Sequence, residues 1–496
     1  MMHELLTPEQ MSTADALMIK SGIVGIELMK CAGAFVFDVL RQHFPNAKTV
    51  LVVAGVGNNG GDGFILAELL KKNGYDVAVT IIGDDTKIAG DARLAFDTIS
   101  QGIQLIKNPD LEVYDLIVDG IFGAGLKREV KGDFADIIHA INASATDVLA
   151  IDLPSGINGQ TGQVSGCAIK AQATATFFRY KPGHVLFPGR ELSGKVYLGQ
   201  FGITQKVLGQ ISPRLNLNTP ALWQDHYPIL KATGHKYSRG HALSVSGGLD
   251  KSGAARLMAK AALRMGAGLV TIACPSETMS AHAARTDAIM LTKMDNEDEL
   301  SNILDDKRIN AVCVGPGLDP NEQTRSFVKI ILNTDKSVVL DAGALSAFSD
   351  KPSTLCGLIR TRSSPTILTP HDGEFERLFP ELISTQDKVK RTKVASETSS
   401  ATVVLKGPDT VIAKSSDNAA ITNNAPPWLA TAGSGDVLCG LIAALLAQGM
   451  PEFEAACTGV WFHGEAGTQA GPGIISSELE KALKTVIENV YQEGFD

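Results

Sequence analysis

The chain has 496 residues, 44% of them hydrophobic and 20% charged, with 45 basic against 54 acidic side chains and a net charge of -9. Such a composition can bury a large core, which excludes an intrinsically disordered chain. The acidic balance argues against nucleic acid or an anionic membrane surface as partner, leaving small-molecule chemistry as the expectation. Two sizeable domains fit the length. The seven cysteines, Cys31, Cys167, Cys274, Cys313, Cys356, Cys439 and Cys457, are scattered without metal-ligand spacing and read as reduced residues. Glu4, Glu9 and Asp15 near the start do not suit a signal peptide, and the longest apolar run, Val437 to Ala447, is shorter than the roughly 20 residues a membrane span needs. A cytoplasmic location is expected.

From Met11 to Leu40 apolar residues recur at helical spacing, and TVLVVA at 49–54 reads as a buried strand entering a glycine-rich loop, GVGNNGGDG at 55–63. A helix over 64–74, a strand over 76–82, a helix over 92–100, a strand over 114–122, a helix over 134–142 and a strand over 147–154 follow. This alternation predicts α/β architecture, a mostly parallel, Rossmann-like sheet covered by helices. The segment 212–228 carries three prolines and no periodicity, which predicts a linker at 217–225 between a first domain, 1–216, and a second, 226–496. Downstream, 241–248, 254–268, 269–275, 310–318, 337–348, 365–379 and 402–413 repeat the α/β alternation.

Glycine-rich loops between strand and helix let an anion approach backbone N–H groups at the positive end of a helix. The first, with Asn58, Asn59, Gly60, Gly61 and Asp62, matches G-x-G-x-x-G, the pattern of dinucleotide-binding folds. Asp62 would repel a pyrophosphate, so the loop is built for more than that, or Asp62 simply starts the helix. Asn59, Asp119 and Ser155 offer hard oxygen ligands for an alkali or alkaline-earth cation. Asp152 ends an apolar strand in IDLPSG, as a general acid/base of raised pKa or as a loop cap.

The second loop, ATAGSGDVLCG at 430–440, sets Gly433, Ser434 and Gly435 before a long apolar helix with Asp436 in its first turn. Its amides suit a transferring phosphoryl group, and Asp436 suits the base that takes a proton from the attacking hydroxyl. Lys406, Gly407, Pro408, Asp409 and Thr410, in KGPDT, suit contacts to a nucleotide's phosphates or ribose. GRELSGKV at 189–196 ends in valine where a Walker A loop needs Ser or Thr, so it is not one.

GVGNNGGDG, VDGIFGAGL (118–126) and IDLPSGINGQTG (151–162) resemble the NAD(P)H-hydrate epimerase family over about residues 1–215. The resemblance implies that Asn58 to Asp62 and Gly123, Ala124, Gly125, Leu126, Lys127, Arg128 and Glu129 hold a hydrated dinucleotide (NADHX or NADPHX). It further implies potassium on Asn59, Asp119 and Ser155, and Asp152 on the substrate. Ile157, Asn158 and Gly159 stand where that family carries acidic residues.

HKYSRGHALSVSGG, VGPGL, LDAGAL, ILTPHDGEFERL, VVLKGPDTVIA and ATAGSGDVL resemble the ADP- or ATP-dependent NAD(P)H-hydrate dehydratase family, a ribokinase-like branch, over about 226–490. This implies Ala254, Gly317, His371 and Asp436 on the hydrated dinucleotide, Lys406 to Thr410 and Gly435 on ADP or ATP, and magnesium on the phosphates. Asp372 and Ala432 replace a proline and a glycine usual in that family. Together the resemblances imply a homo-oligomeric, bifunctional nicotinamide-nucleotide repair enzyme. The alternative is a ribokinase-like small-molecule kinase fused to a Rossmann-like domain.

Overall fold

The computed structural model describes residues 3–99, 102–200, 205–230, 233–415 and 417–494. Glu4–Pro213 form one compact unit, and the described chain from Arg214 onward, together with His3, forms the other.

In the first unit seven strands, β1 (Thr49–Ala54), β2 (Asp76–Ile81), β3 (Gln104–Leu105), β4 (Leu116–Gly120), β5 (Asp147–Ile151), β6 (Ala173–Phe177) and β7 (Lys195–Gly199), lie in the order β3-β2-β1-β4-β5-β6-β7. All six pairings are parallel. The inner strands are nearly continuous apolar runs because both faces are covered. Met29, Val36, Leu40, Phe64, Leu66 and Leu70 pack on one face, and Ile117, Ile121, Ile138 and Ile141 on the other. Helices α1 (Pro8–Lys20) and α2 (Gly25–His43) precede β1, and α3 (Asn58–Lys72) follows it. Because β1 pairs with both β2 and β4, the strand order reverses beside it. That reversal opens a crevice at the carboxyl ends of the strands, where ligands of such sheets bind.

The helix expected over 64–74 begins at Asn58, with Gly57 as its N-cap, so six of the nine residues of the glycine loop belong to α3. A Cβ on Gly60 would lie 1.9 Å from the Gly55 carbonyl oxygen, and one on Gly61 2.6 Å from Met29. These two glycines let α3 press onto β1 and α2. A Cβ on Gly57 would meet nothing within 4 Å, so the open approach is there.

The second unit adds β8 (Leu215–Leu217), β9 (His241–Val245), β10 (Leu269–Cys274), β11 (Met290–Lys293), β12 (Ala311–Val314), β13 (Ser337–Leu340), β14 (Thr366–Leu368), β15 (Thr402–Leu405), β16 (Val411–Ala413) and β17 (Ala419–Ile421). They form one ten-stranded sheet in the order β11-β10-β9-β12-β13-β14-β15-β16-β17-β8. Only β15–β16 and β16–β17 pair antiparallel. The helix Ser434–Ala447 is buried on nearly every side, and a Cβ on its Gly440 would lie 2.2 Å from the Met258 carbonyl oxygen of the helix Gly253–Arg264.

The stretch 217–225, expected as a linker, belongs to this second unit. Leu215–Leu217 pairs with β17, and Trp223 is fully buried with its indole N–H donating to Asn218 at 3.1 Å. Asn218 in turn donates to the Cys457 carbonyl oxygen at 2.8 Å and to Thr422 at 3.0 Å. A three-residue strand and one tryptophan anchor are too short to give a periodic signal. Among the described residues no helix is long and apolar enough to cross a membrane, and all seven cysteines are free thiols.

Candidate active sites

The crevice of the first unit is a cavity of about 760 Å³, within the range typical of small-molecule pockets. Asn58, Asn59 and Asp62 line it from α3, Gly123 to Arg128 from the loop after β4, and Asp152 from the end of β5. Gly60 and Gly61 are packed away from it, and Glu129 is not among its lining residues.

Asp152 occupies left-handed backbone space, φ 64°, costly for a residue with a side chain and a mark of a site held under constraint. One carboxylate oxygen accepts from Lys181 at 2.6 Å and from the Thr176 hydroxyl at 3.2 Å, and the other from the Ala124 amide at 2.9 Å. Lys181 also donates to Thr176 at 2.9 Å and is 2% exposed. Burial alone would push the Asp152 carboxyl up. The Lys181 charge and hydrogen bond, with the Ala124 amide, outweigh burial and hold its pKa at about 2. The expectation of a raised pKa is therefore corrected: Asp152 is a carboxylate at neutral pH. Sequence reasoning missed Lys181, whose only signal is a Lys-Pro-Gly-His run after a strand.

Behind the pair, His184 accepts from the Lys181 amide at Nδ1 (2.9 Å), so the Nε2–H of the neutral ring donates to the Asp152 carbonyl (2.7 Å). Burial lowers its pKa to about 4, helped by the Lys181 charge. In the second unit burial likewise lowers His463 to about 4. Unfolded imidazoles titrate near 6.5, so between about 4 and 6.5 the unfolded chain binds more protons and stability rises with pH. The histidine contribution to the thermal midpoint should be full above pH 6.5 and fall steadily towards pH 4.5. His184→Gln and His463→Gln should each shallow that fall, as calorimetry across a pH series would register.

Asp119 is fully buried at the end of β4. It accepts from the Ser155 amide (2.7 Å), the Ser155 hydroxyl (2.6 Å) and the Ile121 amide (3.2 Å). The Phe122 carbonyl oxygen lies 3.2 Å from the Ser155 hydroxyl. Burial pushes Asp119 up to about 6 against those hydrogen bonds, and no described cationic side chain offsets it. The Asn59 side chain lies beside Gly123, with a buried amide nitrogen that has no hydrogen-bond partner. One carboxylate among neutral oxygens, short of a positive charge, is a donor set for a hard cation of low charge.

In the second unit the carboxyl ends of β13 and β15 meet the helix Ser434–Ala447. Lys406, just after β15, donates to Asp341, just after β13, at 2.7 Å, and the Cys439 thiol reaches the other Asp341 oxygen at 3.1 Å. Burial works against the Lys406 ammonium, but Asp341 outweighs it and the pKa is raised. A Cβ on Gly435 would lie 3.5 Å from the Lys406 ammonium and 3.6 Å from Asp341, so the pair sits at the positive end of the helix. Asp436 beside it is pushed up to about 6, first by burial and then by the Asp341 charge, with Lys406 opposing. Asp341 stands in the LDAGAL segment, but a lone aspartate at a strand end gave no sign of its pairing with Lys406.

The remaining expected residues divide. Gly317, φ 78°, and Ala254 are neighbours, with a Cβ on Gly317 3.2 Å from that of Ala254. His371 caps the helix Asp372–Leu378, accepting from the Glu374 amide at 3.3 Å, and is over half exposed. In the KGPDT loop Asp409 is buried and bound to Lys388 at 2.6 Å, while the Thr410 hydroxyl donates to the Gly407 carbonyl at 2.9 Å. These two side chains build the turn. Gly433 takes φ 82°, and Ser434 meets His463 Nε2 at 2.9 Å.

Two α/β units, each with charged side chains gathered at strand carboxyl ends beside a helix N-terminus, define a nucleotide-handling enzyme with two sites. Residues 25–183 match the family model of the YjeF-related protein N-terminus, and 242–486 that of NAD(P)H-hydrate dehydratase. The chain is 34% identical to the bifunctional NAD(P)H-hydrate repair enzyme Nnr of Moorella thermoacetica, over 99% of this chain and 97% of that one. It is 32% identical to the Coxiella burnetii enzyme of the same name, over 98% and 100%, and 30% to that of Escherichia coli, over 94% and 90%. Among solved structures, the ADP/ATP-dependent NAD(P)H-hydrate dehydratase from Bacillus subtilis, co-crystallised with ATP and Mg2+, is 27% identical at a TM-score of 0.46, covering 54% of this chain and 94% of that one. The chain belongs to the family of bifunctional NAD(P)H-hydrate repair enzymes.

Proposed function

We propose that the first unit interconverts the R and S forms of NADH or NADPH hydrated at the nicotinamide ring, and that the second dehydrates the S form at the expense of ADP or ATP. The observation that carries the first half is the buried Asp152–Lys181 pair on the wall of the cavity at the strand-order reversal. As hydroxide leaves C6, the ring nitrogen shares its lone pair and the ring becomes a cation. Asp152, held ionised, is the anion that faces it. Gly57, open to approach, and the α3 N-terminus suit the dinucleotide's phosphates. Potassium would be held by Asp119, Ser155, the Phe122 carbonyl and Asn59. When bound, it supplies the positive charge this buried carboxylate lacks.

The second half rests on Lys406 and Asp436 at the N-terminus of the helix Ser434–Ala447. The Asp436 carboxylate takes the proton of the C6 hydroxyl while that oxygen attacks the terminal phosphorus of ADP or ATP, whose bond to the bridging oxygen breaks to release AMP or ADP. Lys406 and the amides of Gly433 to Gly435 meet the phosphoryl oxygens. Loss of phosphate from C6 with a proton from C5 then restores the ring double bond. Asp341 is already engaged by Lys406 and Cys439 and Asp436 serves as base, so magnesium would come in on the nucleotide's phosphates.

The test is direct. With an R/S mixture of hydrated NADH, magnesium, potassium and either ADP or ATP, absorbance at 340 nm should recover to the full amount of nicotinamide. Recovery of only the S fraction would remove the epimerase assignment. A stable phosphorylated product without NADH would favour the kinase alternative.

A further inference from the structure

Inversion at C6 requires oxygen to leave from one face of the ring and return to the other, so a cavity that catalyses it needs proton-handling groups on two walls. Asp152 and Lys181 stand beyond the carboxyl ends of β5 and β6. Helix α1 also borders the cavity, through Pro8, Met11, Ser12, Asp15 and Ile19. These recur at i, i+3, i+4, i+7 and i+11, one face of a helix. Asp15 is the only charged residue on that face. The opposite side of α1 is fixed by Ala14 and Met18, packed with Leu6, Phe178, Val207 and Leu208. The helix is therefore anchored, and Asp15 is presented to the cavity.

Resting on the epimerase reading above, we propose that Asp15 is a catalytic acid/base of the first unit, acting on the ring face opposite the one Asp152 serves. In one direction the Asp15 carboxylic acid gives its proton to the oxygen leaving C6. The C6–O bond breaks, its electron pair leaves with oxygen, and water departs. A second water forms a new C6–O bond on the other face and passes its surplus proton to the Asp152 carboxylate. Solvent then removes the proton from Asp152 and returns one to Asp15, so the net change is inversion alone. The opposite epimer follows the same steps reversed. Residues 25–183 match the epimerase-side family model, and Asp15 lies outside that span.

The surroundings suit such a group. Among the described residues no hydrogen bond engages the Asp15 carboxyl. The Asp15 side chain is exposed along the open cavity, and partial desolvation by the surrounding walls pushes its pKa up to about 6, with Lys181 opposing and Asp152 adding to the rise. Asp62 of α3 faces the same space, pushed well above the carboxylate range by burial, Asp152 and Asp15. Asp91, Lys127 and Arg128 are the other charged lining residues. Asp15 protonated with Asp152 ionised is thus the working form. Its population falls as pH rises through about 6.

The experiment follows R and S hydrates by chromatography with the full-length chain, without nucleotide, from pH 5 to 8.5. For the wild type, kcat/KM of epimerisation should fall about tenfold per pH unit above the Asp15 pKa. Asp15→Asn should lower kcat by about 100-fold or more, flatten that profile and leave KM within a few-fold. Asp15→Glu should recover part of the rate and the pH dependence. In all three proteins the melting temperature and ADP-driven dehydration of the S form should be unchanged. Asp15→Asn with the wild-type rate and profile overturns the proposal. A raised KM with kcat and profile intact overturns it too, by reducing Asp15 to a binding group. A wild type that never accelerates epimerisation overturns the epimerase reading and this proposal together, a result distinguishable because the variants would then be compared with an inactive parent.

Discussion

Lys181→Met should abolish consumption of the R hydrate and destabilise the first unit, while dehydration of the S hydrate in the second continues. The ammonium donates to Asp152 at 2.6 Å and Thr176 at 2.9 Å inside a wall that leaves it 2% exposed. Methionine matches its length and keeps the packing, so the change isolates the charge. Removing one partner of a buried ion pair typically costs about 3–5 kcal/mol because the other is left uncompensated. Burial then dominates at Asp152 and its pKa climbs from about 2 towards neutrality. The variant should neither stabilise the ring cation nor accept a proton from incoming water. Calorimetry combined with R/S chromatography checks both parts. An unchanged melting temperature with normal epimerisation would remove the pair from structure and mechanism alike.

Asp436→Ala should strike the other site. General-base removal costs about 10² to 10⁴ in rate, and this carboxylate has no described neighbour able to substitute, since Asp341 is committed to Lys406. Nucleotide binding, through Lys406 and the backbone amides, should change little by isothermal titration. The pH profile should differ in direction from that of the first unit. Asp436 must be ionised to act, so wild-type kcat/KM for dehydration should rise with pH up to about 6 and then level off. A variant that still turns over at the wild-type rate would displace Asp436 from the base role. Opposite pH limbs in one polypeptide also place the best balance between the two reactions near the point where they cross.

The fold was legible wherever a strand was long enough to run apolar: 49–54 was read as it stands in β1, and the β/α alternation follows from the same pattern in both units. The glycine loop was harder, because Asn58, Gly60 and Gly61 are poor helix formers. They become helical only through the close packing of α3 on β1 and α2, a tertiary contact with no local signature. At the sites, residues inside motifs could be named, whereas Lys181, Thr176 and Asp341 could not. Each acts through a partner 29, 24 or 65 positions away, a relation created by folding. The direction of the Asp152 shift was likewise out of reach, since it turns on whether that distant lysine arrives.

The chain's beginning is tied to the second unit: the His3 carbonyl accepts from the Leu217 amide at 2.6 Å, and Leu215–Leu217 completes the edge of the ten-stranded sheet. Everything from Glu4 to Pro213 therefore lies between two segments that belong elsewhere. During synthesis on the ribosome His3 emerges before the intervening unit and must wait, without its Leu217 partner, until that unit has been made. That unit can fold on emergence, but the sheet that claims His3 cannot form before β9 to β17 are translated. The order of manufacture is thus the epimerase-bearing unit first, with the contact between His3 and Leu217 settled into its sheet only afterwards.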